Sequence, residues 1–339
     1  MRLRRVMLTA GGTSAAVWDE PRERWLPLRP ALEHAGAGYD ILEPAADDLL
    51  SFLAAGTNAR EAAAALADAL AERDFADTFE LRPMLPFHPR LLRAFACWER
   101  HWEQAARGLV RRYLPPALPL TTAYERVTHS TFPAFRPKRL FYEQPASYIG
   151  NHLTFVPDGE TLPWPSYCRD LDFELEFGAV LAQPVKDATA DEGQAAIGAF
   201  VVLNDLSARD TQWREYRHGI FGPLGKTKTF ASAMSAEMVT ADEVLPHIEH
   251  LRASVRVNGE TWSQTSTEGI QHSLGAIVAH ASDGEQLHAG ELLASGTMPD
   301  GCGLELDRWL SPGDRLELEI ERIGILTNRI GEKGAATGT

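Results

Sequence analysis

Residues 170–181 read Asp-Leu-Asp-Phe-Glu-Leu-Glu-Phe-Gly-Ala-Val-Leu, acidic and apolar side chains alternating before the run turns apolar throughout. On a strand, successive side chains face opposite sides, so Asp172, Glu174 and Glu176 share one face and Phe173, Leu175 and Phe177 the other. Neighbouring acids then stand about 6.6 Å apart. At an effective dielectric of about 20 each such pair repels by roughly 2.5 kcal/mol. A chain with this segment must either leave the acidic face in water or set positive charge against it. Hard divalent cations prefer carboxylate oxygens and turn that repulsion into ligation.

Two further segments bear on the choice. The run Phe200-Val-Val-Leu-Asn-Asp-Leu-Ser-Ala-Arg-Asp-Thr-Gln212 begins as a buried strand and ends abruptly at Asn204-Asp205. That places a carboxylate where loops bind ligands, although Asp205 taken alone suits a helix cap or a turn equally well. The run Gly290-Glu-Leu-Leu-Ala-Ser-Gly-Thr-Met-Pro-Asp-Gly-Cys-Gly303 leads a strand into a glycine-rich loop. Its backbone N–H groups and the Thr297 hydroxyl are donors for an anion.

The chain has 339 residues, 44% of them apolar and 24% charged, enough for one large or two smaller globular domains. With 47 acidic against 33 basic side chains the formal charge is −14, which argues against nucleic acid and anionic lipid as partners. Cys97, Cys168 and Cys302 are far apart and odd in number, so a disulfide framework is not expected and a reducing cytoplasm fits best. The apolar stretch after the basic start is too short for a secretory signal, and Ile197–Leu203 is far short of a bilayer span. Neither export nor a membrane partner is expected.

The texture divides the chain. Residues 1–82 read as a small α+β cap: a strand around Val6–Leu8, a strand or loop through Ala15–Leu28, then alanine-rich helix with Asn58 as N-cap. Three prolines in Arg82–Pro89 mark a boundary. Leu91–Tyr113 has helical spacing through Leu92, Phe95, Trp98, Trp102 and Ala106. Residues 83–332 read as the second domain, turning β-rich from about residue 120 to 330 with Asn258-Gly259 as a type I′ hairpin signal, and 333–339 read as a flexible tail.

The three segments, in this order, resemble the fumarylacetoacetate hydrolase family. Glu174 and Glu176 match its E-x-E strand and Asp205 the Asp of its N-D-x-[ST]-A-R-D segment. The likeness runs on through Arg209, Asp210, Gln212 and Tyr216 to Gly222–Phe230, similar to the family's lysine loop, and then to Thr297 and Pro312-Gly313-Asp314. Lys226 and Lys228 both compete for the lysine position: the preceding glycine favours Lys226, the spacing to Phe230 favours Lys228, and Lys228 is taken as the candidate. Leu140 and Ser147 stand where longer members carry a metal-binding Asp and a catalytic His, while Phe95–Gln104 resembles the segment that supplies a His in smaller members.

The resemblance implies an α+β, β-rich chain: a mixed β-sandwich roll with a small N-terminal α+β domain, commonly a homodimer. It implies Mg2+, or Mn2+ or Ca2+, on Glu174, Glu176 and Asp205, and a 2-oxo acid or 1,3-diketone as substrate. His101, Glu103, Lys228 and Glu305 become the catalytic candidates, and Tyr142, Arg209, Gln212, Tyr216 and Thr297 the substrate-binding ones. Glu99 and Glu103 flank His101, and neither lies one helical turn from it. The reaction expected first is hydrolysis of a carbon–carbon bond in a diketone or acylpyruvate. The alternatives are a lyase or dehydratase, a decarboxylase or an isomerase using the same metal-enolate chemistry, and a non-catalytic metal-stabilised binding protein.

Overall fold

The computed structural model describes residues 1–220, 222 and 225–334. Of the expected tail, Lys333 ends the last strand and 335–339 lie outside the described residues. Two sheets organise the α+β chain. The larger, twelve-stranded sheet runs in the order Arg24–Pro27, Thr13–Asp19, Arg2–Leu8, Glu237–Thr240, Ile197–Asn204, Leu175–Leu181, Glu291–Ala294, Leu91–Phe95 and Ser147–Gly150, with further strands beside this path. The smaller one runs Glu260–Ser266, Arg252–Val257, Arg315–Ile320, Gly324–Lys333 and Thr161–Trp164.

Alternation along the central strands sorts their side chains into two cores. Leu175, Phe177, Phe200 and Val202 point into one core, shared with Val255, Leu318 and Ile330 of the smaller sheet. Val180, Ala199, Val201 and Leu203 point into the other, shared with Leu3, Phe52, Ala63 and Leu66 from the first 82 residues. Both faces of these strands are thus buried, which is why the strands read as near-continuous apolar runs. The N-terminal segment adds four strands to the large sheet, Arg2–Leu8 pairing antiparallel with Glu237–Thr240 and with the short Phe79–Glu80.

Two local expectations are corrected. Leu91–Phe95 is a strand, parallel to Glu291–Ala294, and the helix begins only at Glu99 and ends at Tyr113. Apolar residues every three or four positions fit a buried strand followed by a helix as well as one long helix. The alanine-rich helix starts at Leu49, where Asp48 accepts from the N–H groups of Leu50 and Ser51, and it breaks at Gly56, so Asn58 is not its cap. The hairpin at Asn258-Gly259 forms as expected, with φ of +53° and +82° joining Arg252–Val257 to Glu260–Ser266.

Candidate active site

Strand register brings the three acids together. Leu175 pairs with Asn204, which sets Glu174 opposite Asp205; the Asp205 N–H donates to the Glu174 carbonyl at 3.2 Å, and the Glu174 N–H to Asn204 Oδ1 at 3.0 Å. Glu176 lies two residues on, hence on the same face. Ligand oxygens of Glu174, Glu176 and Asp205 all fall within 4.8 Å of one another. The three residues are buried, at 3%, 1% and 6% exposure, so the reading of a solvated acidic face fails.

Countercharge comes from two cations. Arg209, inside the core, donates from Nε to Asp172 Oδ2 at 2.8 Å and from Nη1 to Gln212 Oε1 at 3.0 Å, and its Nη2 lies 2.7 Å from Glu174 Oε1. Lys228 Nζ pairs with Glu174 Oε2, and with Asp205 Oδ2 at 2.9 Å. The geometry thus separates the two lysines of the loop. Lys226 is exposed over the Tyr167 ring, and Lys228 reaches the carboxylates.

The carboxyl groups respond unequally. Burial works against ionising Glu174, but Lys228, Arg209 and His101 prevail and hold it at about 2. Burial pushes Glu176 well above the ordinary carboxyl range, with Asp205 and Glu174 adding to the rise. Its one described donor is the Gly296 N–H at 3.2 Å. Asp205 is also raised, chiefly by burial, and it accepts from the Tyr148 hydroxyl. Asp172, Glu174, Glu176 and Asp205 carry four negative charges when ionised, against two positive charges on Arg209 and Lys228. The surplus of two equals the charge of one divalent cation, and the all-oxygen donor set suits Mg2+, Mn2+ or Ca2+. The residues present therefore fit such an ion.

The glycine-rich loop is tied to this strand by Ser295 N–H to the Phe177 carbonyl, Met298 N–H to the Leu175 carbonyl, and Leu175 N–H to the Gly301 carbonyl. A Cβ on Gly296, whose φ is +76°, would stand 2.2 Å from the Phe95 carbonyl oxygen, so only glycine can present its N–H to Glu176. Thr297 is buried beside it, at 3% exposure.

His101 sits near the start of its helix, Nδ1 lying 3.2 Å from Glu305 Oε1. The alignment falls short of a hydrogen bond, and neither atom has another partner. Glu305 Oε2 accepts from the Cys302 thiol at 3.3 Å. The acidic neighbour of His101 is thus Glu305. Glu103 forms no hydrogen bond or ion pair with a described residue and stands near Tyr142. Helix and glutamate meet closely because Gly108 packs on Leu304: a Cβ there would lie 2.5 Å from the Leu304 carbonyl oxygen.

The expected substrate contacts are scattered. Gln212 accepts from Arg209, and Arg209 is engaged with the acids Asp172 and Glu174. Tyr216 is 65% exposed and stacks on Trp213, while Tyr142 donates its hydroxyl to Glu99 in the first turn of the His101 helix. Phe221, Pro223 and Leu224 of the lysine loop lie outside the described residues. Sequence reading missed Tyr148, Cys302 and the structural part of Asp172, which accepts from Gly303 and Leu304 N–H and so caps the turn carrying Glu305. Asp172 was visible in the acidic alternation; nothing in the sequence marked the other two.

Fold and site together define an α+β protein with a buried cluster of acids and cations whose three carboxylates could hold a divalent ion. Residues 125–331 match the family model described as fumarylacetoacetate (FAA) hydrolase C-terminal, and the chain belongs to the fumarylacetoacetate hydrolase family. It is 31% identical over 169 residues to oxaloacetate tautomerase Fahd2a, mitochondrial, of Rattus norvegicus, covering 49% of this chain and 52% of that one. It is 26% identical over 180 residues to oxaloacetate tautomerase FAHD1, mitochondrial, of the same species, covering 53% and 78%. The chain thus spans about half the length of the first of these relatives.

Two solved structures share the fold. Fumarylacetoacetate hydrolase from psychrophilic Exiguobacterium antarcticum has a TM-score of 0.63 at 19% identity, over 98% of this chain and all of its own. For 2-hydroxyhepta-2,4-diene-1,7-dioate isomerase from Mycobacterium marinum the TM-score is 0.60 at 20% identity, over 99% of this chain and all of its own. No described helix is long and apolar enough to cross a membrane.

Proposed function

We propose that this chain is a divalent-metal-dependent enzyme that shifts a proton at the carbon beside the keto group of a small 2-oxo acid, interconverting keto and enol forms. The observation that carries the reading is the His101–Glu305 pair beside the three carboxylates, close enough that His101 helps depress Glu174. The names of the curated relatives, oxaloacetate tautomerases, support the substrate class.

An ion of the Mg2+ class on Glu174, Glu176 and Asp205 would supply Lewis-acid polarisation of the substrate oxygens; Mn2+ and Ca2+ suit the same donors. His101 takes the proton from carbon and delivers it to the former carbonyl oxygen to give the enol, the reverse transfers restoring the keto form, and the Glu305 carboxylate steadies the imidazolium between the two transfers. Lys228 faces the charge that develops on the substrate oxygen. Thr297 and the loop around it exclude water. A homodimer is part of this reading and is tested by sedimentation.

A second reading, hydrolysis of an acylpyruvate, is favoured by one feature: His101 Nδ1 and Glu305 Oε1 are buried without hydrogen-bond partners and suit a held water. The test follows oxaloacetate by NMR in deuterated water with Mg2+ present. Enzyme-dependent exchange at C3 with the carbon skeleton intact is the expected result. His101→Asn should lower the rate by about 10²–10⁴-fold. Carbon–carbon cleavage of acylpyruvates with ¹⁸O from water entering a carboxylate, and no exchange activity, would replace the first reading by the second.

A further inference from the structure

We infer that His101, Cys302 and Glu305 form a second cation site, for a borderline-soft divalent ion of the zinc class, distinct from the three-carboxylate centre. One ligand atom from each, Nδ1, Sγ and a carboxylate oxygen, falls within 4.8 Å of the others. Nδ1 lies 3.2 Å from Glu305 Oε1, and Sγ 3.3 Å from Oε2. A tetrahedral zinc ion with bonds of about 2.3 Å to sulfur and about 2.0–2.1 Å to nitrogen or oxygen separates N from O by about 3.3 Å and S from O by about 3.6 Å. The nitrogen already stands near that spacing from Oε1, and the sulfur lies beside the other oxygen, Oε2, so the Glu305 carboxylate spans the two donors.

A second observation points to an occupant. Glu305 is 8% exposed, and its Oε1, like His101 Nδ1, is a buried polar atom without a hydrogen-bond partner. Such atoms are uncommon in folded proteins and ask for a reason. The donors are also fixed in place: Asp172 holds the Gly303–Leu306 turn through two N–H groups, and Gly108 seats the His101 helix against Leu304. The His101 side chain is 16% exposed and gives an ion its way in.

Donor chemistry sorts the two sites. Imidazole and thiolate favour zinc over magnesium, and three carboxylates favour magnesium. When the sulfur–metal bond forms, the thiol proton leaves to solvent, with no change of oxidation state. Three protein ligands leave the fourth position open. An ion here removes His101 and Glu305 from proton transfer, so zinc inhibits. That consequence rests on the function proposed above, whereas binding itself does not.

Cobalt(II) is the probe, titrated into protein saturated with Mg2+ and kept reduced with a phosphine. A thiolate-to-cobalt charge-transfer band should appear at one equivalent, vanish on adding zinc and be missing in Cys302→Ser. Zinc affinity of Cys302→Ser and of Glu305→Gln should fall by at least about tenfold, the lower end of what disturbing a metal site costs. Circular dichroism melts confirm that the variants fold, and Glu305→Gln carries the test if Cys302→Ser does not. Cobalt binding without the band, or zinc affinity unchanged in the folded variants, overturns the site; a water held by the same atoms would give that outcome. The band without turnover of oxaloacetate refutes the enzymatic reading alone, and turnover without the band refutes the zinc site alone.

Discussion

Glu176 gives the sharpest test of the carboxylate centre, because replacing it should move two observables in opposite directions. Its oxygens lie within 4.8 Å of those of Glu174 and Asp205. At an effective dielectric of about 20 each contact at that distance repels by about 3.5 kcal/mol if both groups are ionised. Burial and these neighbours raise its folded pKa above the ordinary value of about 4.3. The folded state therefore keeps a proton that the unfolded chain gives up, and metal-free stability falls as pH climbs from about 4.3 through the folded value. Glu176→Gln escapes that loss. Its melting temperature should match wild type in mild acid and exceed it increasingly toward alkaline pH, with Mg2+ removed by chelator.

Adding Mg2+ reverses the order. An ion at a hundredfold excess over its Kd stabilises the wild type by about 2.7 kcal/mol. With about 2.1 cal/mol/K of unfolding entropy per residue over 339 residues, the melting temperature rises by about 4 °C. Glu176→Gln lacks one of three ligands and should show little of that rise. Calorimetry in two buffers of different ionisation enthalpy should also find up to about one proton released per Mg2+ bound, lost in the variant. Equal magnesium shifts in both proteins, or a variant that is less stable at every pH without metal, would refute the convergence of these acids on one ion.

Two further substitutions probe how the His101 helix is held. Asp170 accepts from Arg112 at 2.6 Å, Tyr113 at 2.7 Å and Arg169 at 3.0 Å; burial opposes its ionisation, but those three partners prevail and lower its pKa. Its contribution is therefore complete above about 3.9, the ordinary Asp value, and is lost as pH falls through the lower folded value. Asp170→Asn should cost about 1–3 kcal/mol by urea unfolding at pH 7, the exposed arginines adding little, and the gap should close in strong acid. Gly108→Ala forces a methyl group against the Leu304 carbonyl, so about 1–3 kcal/mol should be lost with a fall in kcat as His101 shifts from Glu305. An unchanged kcat in that variant would separate the helix position from catalysis.

What could be read in the sequence depended on the range of the interaction. Alternation at Leu175–Leu181 and the left-handed pair Asn258-Gly259 are local, and both appear as expected. The convergence of the three carboxylates was legible because Glu174 and Glu176 share a strand face and Asp205 ends the adjacent strand. Lys226 and Lys228 lie on the same loop, and only its path decides which one meets the acids. Glu305 is 204 positions from His101, by the numbering of the contact, and reaches it through packing at Gly108 that no periodicity encodes. Leu91–Phe95 read as helix because its parallel partner, Glu291–Ala294, lies far along the chain.

Asp172 shows why one more acid stands in a stretch already crowded with them. Its carboxylate accepts from Arg209, whose other nitrogen lies on Glu174, and from the backbone of Gly303 and Leu304, which begins the turn bearing Glu305. A single buried side chain therefore locates both a carboxylate of the acidic triad and the acidic neighbour of His101. Removing it would leave Arg209 in the core with Glu174 as its remaining counter-ion, which costs more than losing an exposed pair. A hydrophobic replacement of the Asp172–Arg209 pair could restore stability, yet the two halves of the site would no longer share a common reference. The acidic repeat is then a division of labour: Asp172 fixes the frame, and Glu174 and Glu176 converge with Asp205 on the space proposed for the cation.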